Sequence, residues 1–118
     1  MKVKLVDVQR AKPALIKILN ADLPVKIAFR LSRLGKSVDK ILVEIEGIRT
    51  KLVQKYGSTT EQGTSVKPEN IAKFQEEFSA FLSEEFVDMD IEPIKLDSLE
   101  GLALTPLDVV SLDFLLEE

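Results

Sequence analysis

Ile27, Leu31, Leu34, Val38, Ile41, Ile45, Ile48 and Leu52 recur at steps of 4, 3, 4, 3, 4, 3 and 4 residues. No other spacing in the chain constrains its fold as much. Alternating steps of three and four return to one side of an α-helix at every turn, so the ladder predicts a single helix from about Pro24 to Tyr56. At about 1.5 Å per residue such a helix is ~50 Å long. Pro24 suits an opening turn, Asp22 stands where a cap is wanted, and Gly57 follows where a left-handed cap would close the helix. Gly35 and Gly47 lie inside it; each lowers helix propensity by up to ~1 kcal/mol and is compatible with close packing.

A helix of this kind needs cover. With Leu31, Val38, Ile45 and Leu52 at the a positions of a heptad and Ile27, Leu34, Ile41 and Ile48 at d, the e positions are Ala28, Gly35, Leu42, Arg49 and Tyr56. The apolar stripe is therefore wider than a two-stranded seam and fits a bundle buried on two sides. Its Ile-rich d positions disfavour a parallel dimer relative to larger assemblies. After a polar loop over 57–67, a second helix is predicted from about Pro68 to near Phe86, with Val66 and Ile71 bracketing Pro68 as a hydrophobic staple. Its core face is Ile71, Phe74, Phe78 and Phe81 or Leu82. Folded back antiparallel, at ~28 Å it covers little more than half of the first helix. The rest is hidden either by self-association through the eight ladder residues or by N- and C-terminal helices of the same chain. Self-association is the expectation carried forward.

The flanks supply smaller elements. Val3, Leu5 and Val8 nearly alternate, which reads as a short strand. In "KPALIKILN" Pro13 fits the first turn of a short helix, where its missing N–H is harmless. Val87, Met89 and Ile91 alternate, then Ile94 and Leu96 resume after Pro93, which predicts an edge or bulged strand over 87–96 pairing with the N-terminal one. Thr105, Pro106 and Asp108 open a C-terminal helix as a capping box, with Leu104 and Val109 as its staple. The expected fold is mainly α (α+β): one domain over 1–118, a long helix and a shorter antiparallel one forming a hairpin, a two-stranded β element and a C-terminal helix.

Composition narrows the chemistry. At 118 residues, 45% hydrophobic and 31% charged, the chain is an ordinary globular domain. It has neither Cys nor His, which removes disulfides, thiolate catalysis, the commonest general base and the commonest metal ligand. Glu84, Glu85, Asp88, Asp90 and Glu92 are dense carboxylates but lack the glycine turn and ordered spacing of a calcium loop, so no metal and no cofactor is expected. Tyr56 is a possible hydrogen-bond donor to a ligand, though a Tyr at a helix end more often packs with its hydroxyl wet. No apolar run approaches the roughly 18 residues of a membrane span, and "MKVKLVDVQR" lacks a signal-peptide core, so a cytosolic protein is expected.

Charge is segregated. Residues 24–56 carry a net +5 and residues 84–118 a net −10, within a total of −4. Two such patches either neutralise each other or face different partners. Lys26, Arg30, Arg33 and Lys40 line one side of the long helix beside the apolar stripe. They form either a binding stripe for a small phosphorylated ligand or a solvated face answering the acidic segment. Nucleic acid is disfavoured, because one Tyr and six Phe, most of the latter at core positions, leave little to stack on bases.

In order, "LPVKIAFRLSRLGK", "EGIRTKLVQKYG", a polar loop, "KFQEEFSAFLSEEFVDMDIEPI" and "LTPLDVVSLDFL" resemble a family of small proteins of tailed bacteriophages and prophages of unknown function. The likeness covers roughly residues 19–115, leaving the N-terminal strand to the alternation alone. It implies a phage accessory protein in the cytoplasm of the infected bacterium or in the virion, and brings no catalytic residues. Three functions compete: a non-catalytic host-takeover or anti-defence protein that sequesters a nucleotide-like ligand as a homo-oligomer; an assembly factor or minor virion component that binds another phage protein through its helices; and a small enzyme. The first is the expectation, and no enzymatic activity is expected.

Overall fold

The structure, a computed structural model, describes residues 2–60, 63–89 and 92–117, with only the backbone of 58–60. The ladder forms one helix, α2 (Val25–Tyr56), 32 residues long. Its length, ~48 Å at 1.5 Å per residue, sets the long dimension of the molecule, which measures 49 × 29 × 25 Å. Pro24, extended at φ −53° and ψ 146°, is the residue that precedes the first turn, and its carbonyl accepts the N–H of Ala28 at 2.9 Å. Asp22 does not cap this helix. It stands two residues before the N-cap, out of reach of the first-turn N–H groups, because Pro24 bars the residue before it from the helix.

The N-terminal expectation needs the larger correction. The strand β1 is only Lys2–Lys4, and Leu5 already begins a 15-residue helix, α1 (Leu5–Leu19), in which Pro13 is an interior residue. Leu5, Val8, Ala11, Ala14, Leu15 and Ile18 are all buried, on one helical stripe. Burying Leu5, Val8, Leu15 and Ile18 gains about 1.5–3 kcal/mol each, which exceeds the ~3 kcal/mol an interior proline costs. Pro13 also faces solvent, so water can serve the carbonyl its ring leaves without a donor. Leu5 donates its N–H to the carbonyl of Glu85 at 3.1 Å, which satisfies one of the orphan groups of the first turn. Pro13→Ala is expected to stabilise the protein by about 2 kcal/mol, the helix penalty less the entropy that proline removes from the unfolded chain, as read by chemical denaturation.

α1, rather than another copy of the chain, covers the ladder. Leu31, Leu34, Val38, Ile41 and Ile45 are buried within the single chain, and Ile27, Ile48 and Leu52 are half-buried. The ladder between 31 and 45 is therefore core and offers no free surface for self-association. The reason is the extra length that α1 gains by running through Pro13. Where its last turn crosses α2, a methyl of Leu19 lies 3.1 Å from the point a Cβ on Gly35 would occupy, so Gly35 marks close packing. Gly47 has no neighbour within 4 Å of that point and marks none.

The stretch 57–67 is not a loop. It forms a hairpin of β2 (Gly57–Thr60) and β3 (Gly63–Val66), paired from Gly57↔Val66 to Thr60↔Gly63. Gly57 is extended, at φ −112° and ψ −175°, rather than left-handed, so the chain passes directly from helix into strand. A Cβ there would run into the backbone carbonyl oxygens of Val53 and Ser65. Close approach, not a special dihedral angle, requires the glycine. A 3-10 turn, Pro68–Asn70, then leads into α3 (Ile71–Glu84). It runs back along α2, with Leu82 buried, Phe74, Phe78 and Phe81 half-buried, and Ile71 largely exposed.

β4 (Phe86–Asp88) pairs antiparallel with β1 in the register Val3↔Val87, as the alternation predicts. The expected continuation does not follow it. β5 (Ile94–Lys95) pairs in parallel with β6 (Leu116–Glu117) at the other end of the acidic segment, while Asp90 and Ile91 lie outside the described residues. Between them α4 (Pro106–Leu112) begins with the predicted capping box: Thr105 Oγ1 accepts the N–H of Asp108 at 3.1 Å, and Asp108 Oδ2 accepts the N–H of Thr105 at 3.0 Å. The same Oδ2 takes a 2.8 Å bond from Lys17 Nζ, which pins α4 to α1 across 91 positions of sequence.

Lys17, and then the Thr105 backbone, hold the Asp108 carboxyl below its ordinary value. A carboxylate whose value is lowered by folding contributes stability that is present above its unfolded value and lost as the pH falls through the folded one. Thermal melts of wild type and Asp108→Asn should therefore differ fully above about pH 4 and converge below it.

Candidate functional site

The first half of α2 and the C-terminal segment around β5 and β6 enclose a groove of about 990 Å³. Its floor is apolar, made by Ile27, Leu31 and Leu34 of α2 and Ile94 of β5. Four cations line it, Arg30, Arg33 and Lys36 from α2 and Lys95 from β5, with Glu92 and Glu117 among them. Ser37 and Ser98 add two hydroxyls. Helical spacing explains the arrangement. Arg30 and Arg33 are one turn apart, displaced from the buried stripe by roughly a quarter turn, so their stems leave the floor and their heads reach the rim. Arg33 sits over the ring of Phe29, 5.6 Å from its centroid, which supports the guanidinium against an apolar face.

The five proposed anion-binding residues are not brought together. Arg30 and Arg33 line the groove; Lys26 and Lys40 do not. They are 14 residues apart, about 21 Å along the helix, too far to converge on one small ligand. Tyr56 lies at the far end of α2, 26 residues from Arg30 and ~39 Å away. There it stands beside Glu77 of α3, whose carboxyl is held below its ordinary value first by the Tyr56 hydroxyl and then by Lys55. Lys55 Nζ, 3.1 Å from Glu77 Oε1 and 5.0 Å from the centre of the Tyr56 ring, is raised in turn, first by Glu77. Lys55 fastens α3 to α2 here, and Tyr56 belongs to no ligand site with the arginines.

The groove also contains residues that the charge pattern did not single out. Lys36 sits in the same basic stretch of α2, three positions after Arg33. Lys95 has a sharper signal, as the one cation among residues 84–118, which carry eleven acids. Ser37, Ser98 and Glu117 have no local signal, since the fold alone brings them to the groove.

Among the described residues, none of Lys26, Arg30, Arg33, Lys36 and Lys40 takes part in an ion pair, and the pairs present are Lys17–Asp108, Lys55–Glu77 and Arg49–Glu46. No group of three acidic side chains among the described residues has metal-ligating geometry, and Asp90 lies outside them. A second, smaller depression of about 580 Å³ lies by β1, lined by Lys2, Lys4 and Arg10 with Phe86 and Phe114. No described helix is long and apolar enough to cross a membrane.

No protein-family model matches the chain, and no curated protein or solved structure is significantly similar to it.

Proposed function

We propose that this chain is a non-catalytic binding protein that holds a phosphorylated organic ligand of nucleotide size in the groove between α2 and the C-terminal segment. One observation carries the reading: Arg30 and Arg33, a single turn apart on the groove wall, present guanidinium groups with no ion partner among the described residues. Two planar forks about 4.5 Å apart along the helix suit the oxygens of one phosphate. The apolar floor suits the face of a base or another flat body, and Glu92 and Glu117 would accept hydrogen bonds from its amino groups. A bare inorganic anion would leave those two acids facing it, so the groove favours an anion that also carries donors.

A phage accessory role, in host takeover or anti-defence, rests on the resemblance of residues 19–115 and is part of the proposal. Thermal melts against cyclic and linear nucleotides test the binding. A ligand present at 100 times its Kd should stabilise the folded state by about 2.7 kcal/mol, and the shift should vanish in Arg30→Glu with Arg33→Glu. A shift that survives this double charge reversal, or no shift with any nucleotide, overturns the reading.

The exposure of Val25, Phe29 and Val43 along the outer side of α2 favours a second function, an assembly factor that docks a helix of another phage protein. Mass spectrometry of purified virions separates the two, since only an assembly or structural component is retained there.

A further inference from the structure

Lys2, Val3 and Lys4 all line the depression of about 580 Å³ beside β1. β1 has one neighbouring strand, β4, so its other side is a sheet edge. The phase of the ladder decides which backbone groups that edge presents. Leu5 donates to the carbonyl of Glu85, the residue that faces it in the register. Direct bonds between facing residues recur at every second pair of an antiparallel ladder. Val3 and Val87 are therefore the next bonded pair, and Lys2 and Lys4 turn their N–H and C=O groups away from β4. The Lys4 carbonyl, at the N-cap of α1, is taken by the first turn of that helix. The Lys2 N–H, the Lys2 carbonyl and the Lys4 N–H stay on the open edge, without a partner among the described residues.

The side chains around this edge are mostly cationic. Lys2 and Lys4 are exposed on either side of buried Val3. Arg10, from the second turn of α1, joins them on the lining, against a single carboxylate, Asp7. None of the three cations has an ion partner among the described residues. Asp88 faces Lys2 across the ladder but does not line the depression. Val6, Phe86 and Phe114 supply the apolar part of the lining. Phe86 is 55% exposed, with Lys4 Nζ 5.9 Å from its ring centre.

We infer that this edge takes up an extended acidic peptide of another protein, which adds to β1 as a third, antiparallel strand. Backbone groups supply the hydrogen bonds and side chains supply the choice of peptide. Peptide residues that face Lys2 and Lys4 share their side of the sheet, so carboxylates belong at those positions. The residues between them turn to the other side, where apolar groups suit the Val3 face. The same lysines exclude the obvious competitor. A second copy of β1 on this edge would set lysine against lysine, which opposes pairing. The inference does not rest on the anion-binding reading, because no residue lines both the depression and the groove.

The probe is a blocked, fluorescently labelled hexapeptide of alternating Glu and Val, with binding read by anisotropy. A Kd below about 1 mM at low salt is expected, rising as salt is added. Lys2→Gln with Lys4→Gln, at two exposed positions and checked for folding by circular dichroism, should weaken binding about tenfold. N-methylation separates strand addition from loose ionic attraction. In the added strand the Glu N–H groups point at β1 and the Val N–H groups point away. Methylating the Glu nitrogens should therefore abolish binding, and methylating the Val nitrogens should leave it in place. Equal binding of the two methylated peptides, no binding of the parent peptide, or a lysine variant that binds as tightly as wild type overturns the inference. Sedimentation of the protein alone tests the second copy. A mass of 13.2 kDa is expected, whereas a mass that rises with concentration and stops doing so in the lysine variant puts a copy on this edge and overturns the inference.

Discussion

Ile18→Ala is expected to destabilise the protein by about 2–5 kcal/mol, with a fall in melting temperature of roughly 10 °C or more. Ile18 is 1% exposed and lies on the buried stripe of α1, the helix packed against α2, α3 and α4. Truncation removes the transfer free energy of its side chain and leaves a cavity that three neighbouring elements cannot all close. If α1 were a short peripheral helix starting at Pro13, the same change would cost far less. Leu107→Ala, on the exposed side of α4, is the internal control and should lie within ~0.5 kcal/mol of wild type. Urea denaturation of the two variants, with equal slopes, decides the matter. Near-equal midpoints would refute the central placement of α1.

Gly57→Ala is expected to cost about 3 kcal/mol, the upper end of what overpacking costs, because the groups its methyl meets are backbone carbonyls of Val53 and Ser65. A flexible side chain could move aside; a carbonyl held in the last turn of α2 and another in β3 cannot do so without disturbing the hairpin. The damage should be local. Amide exchange should accelerate at Ser65 and Val66 while the α1–α4 core keeps its protection. Gly57→Asn discriminates between two reasons for the glycine. A left-handed cap tolerates Asn well, so Asn would then be much milder than Ala. Close approach penalises both alike, which is the expected result.

Gly57 and Pro13 mark where sequence reading fell short. Gly57 follows a long helix and precedes "STTEQGTSV", a polar run with the composition of a loop. Nothing in the run is apolar before Val66, so its strand pairing has no period-2 hydrophobic signal, and the hairpin rests on backbone pairing and on its seat against the end of α2. Pro13 misled differently. A proline reads as a helix start when only local cost is weighed. Here burial of a stripe beginning at Leu5 outweighs that cost, and burial is supplied by α2 and α4, which lie elsewhere in the chain.

The groove shows the same division. Arg30 and Arg33 were legible as neighbours on one helical face, and both line it. Lys26 and Lys40 share that face but do not line the groove, and Tyr56 is ~39 Å along the helix from Arg30. A face is a direction, and it says nothing about where along the helix a wall of the groove begins and stops. That wall is the segment from Glu92 to Ser98 with Glu117, placed by the parallel pairing of β5 with β6.

By itself the sequence determined what depends on neighbours within a turn or two. The span of α2 follows from a heptad ladder, the start of α4 from a capping box whose two bonds join residues three apart, and the charge imbalance from simple position in the chain. Tertiary structure alone decided what covers the ladder, which arginines share a groove and where α4 is pinned. The physical reason is that periodicity and capping are satisfied locally, whereas burial requires a partner surface, and that partner here is as remote as Lys17 is from Asp108.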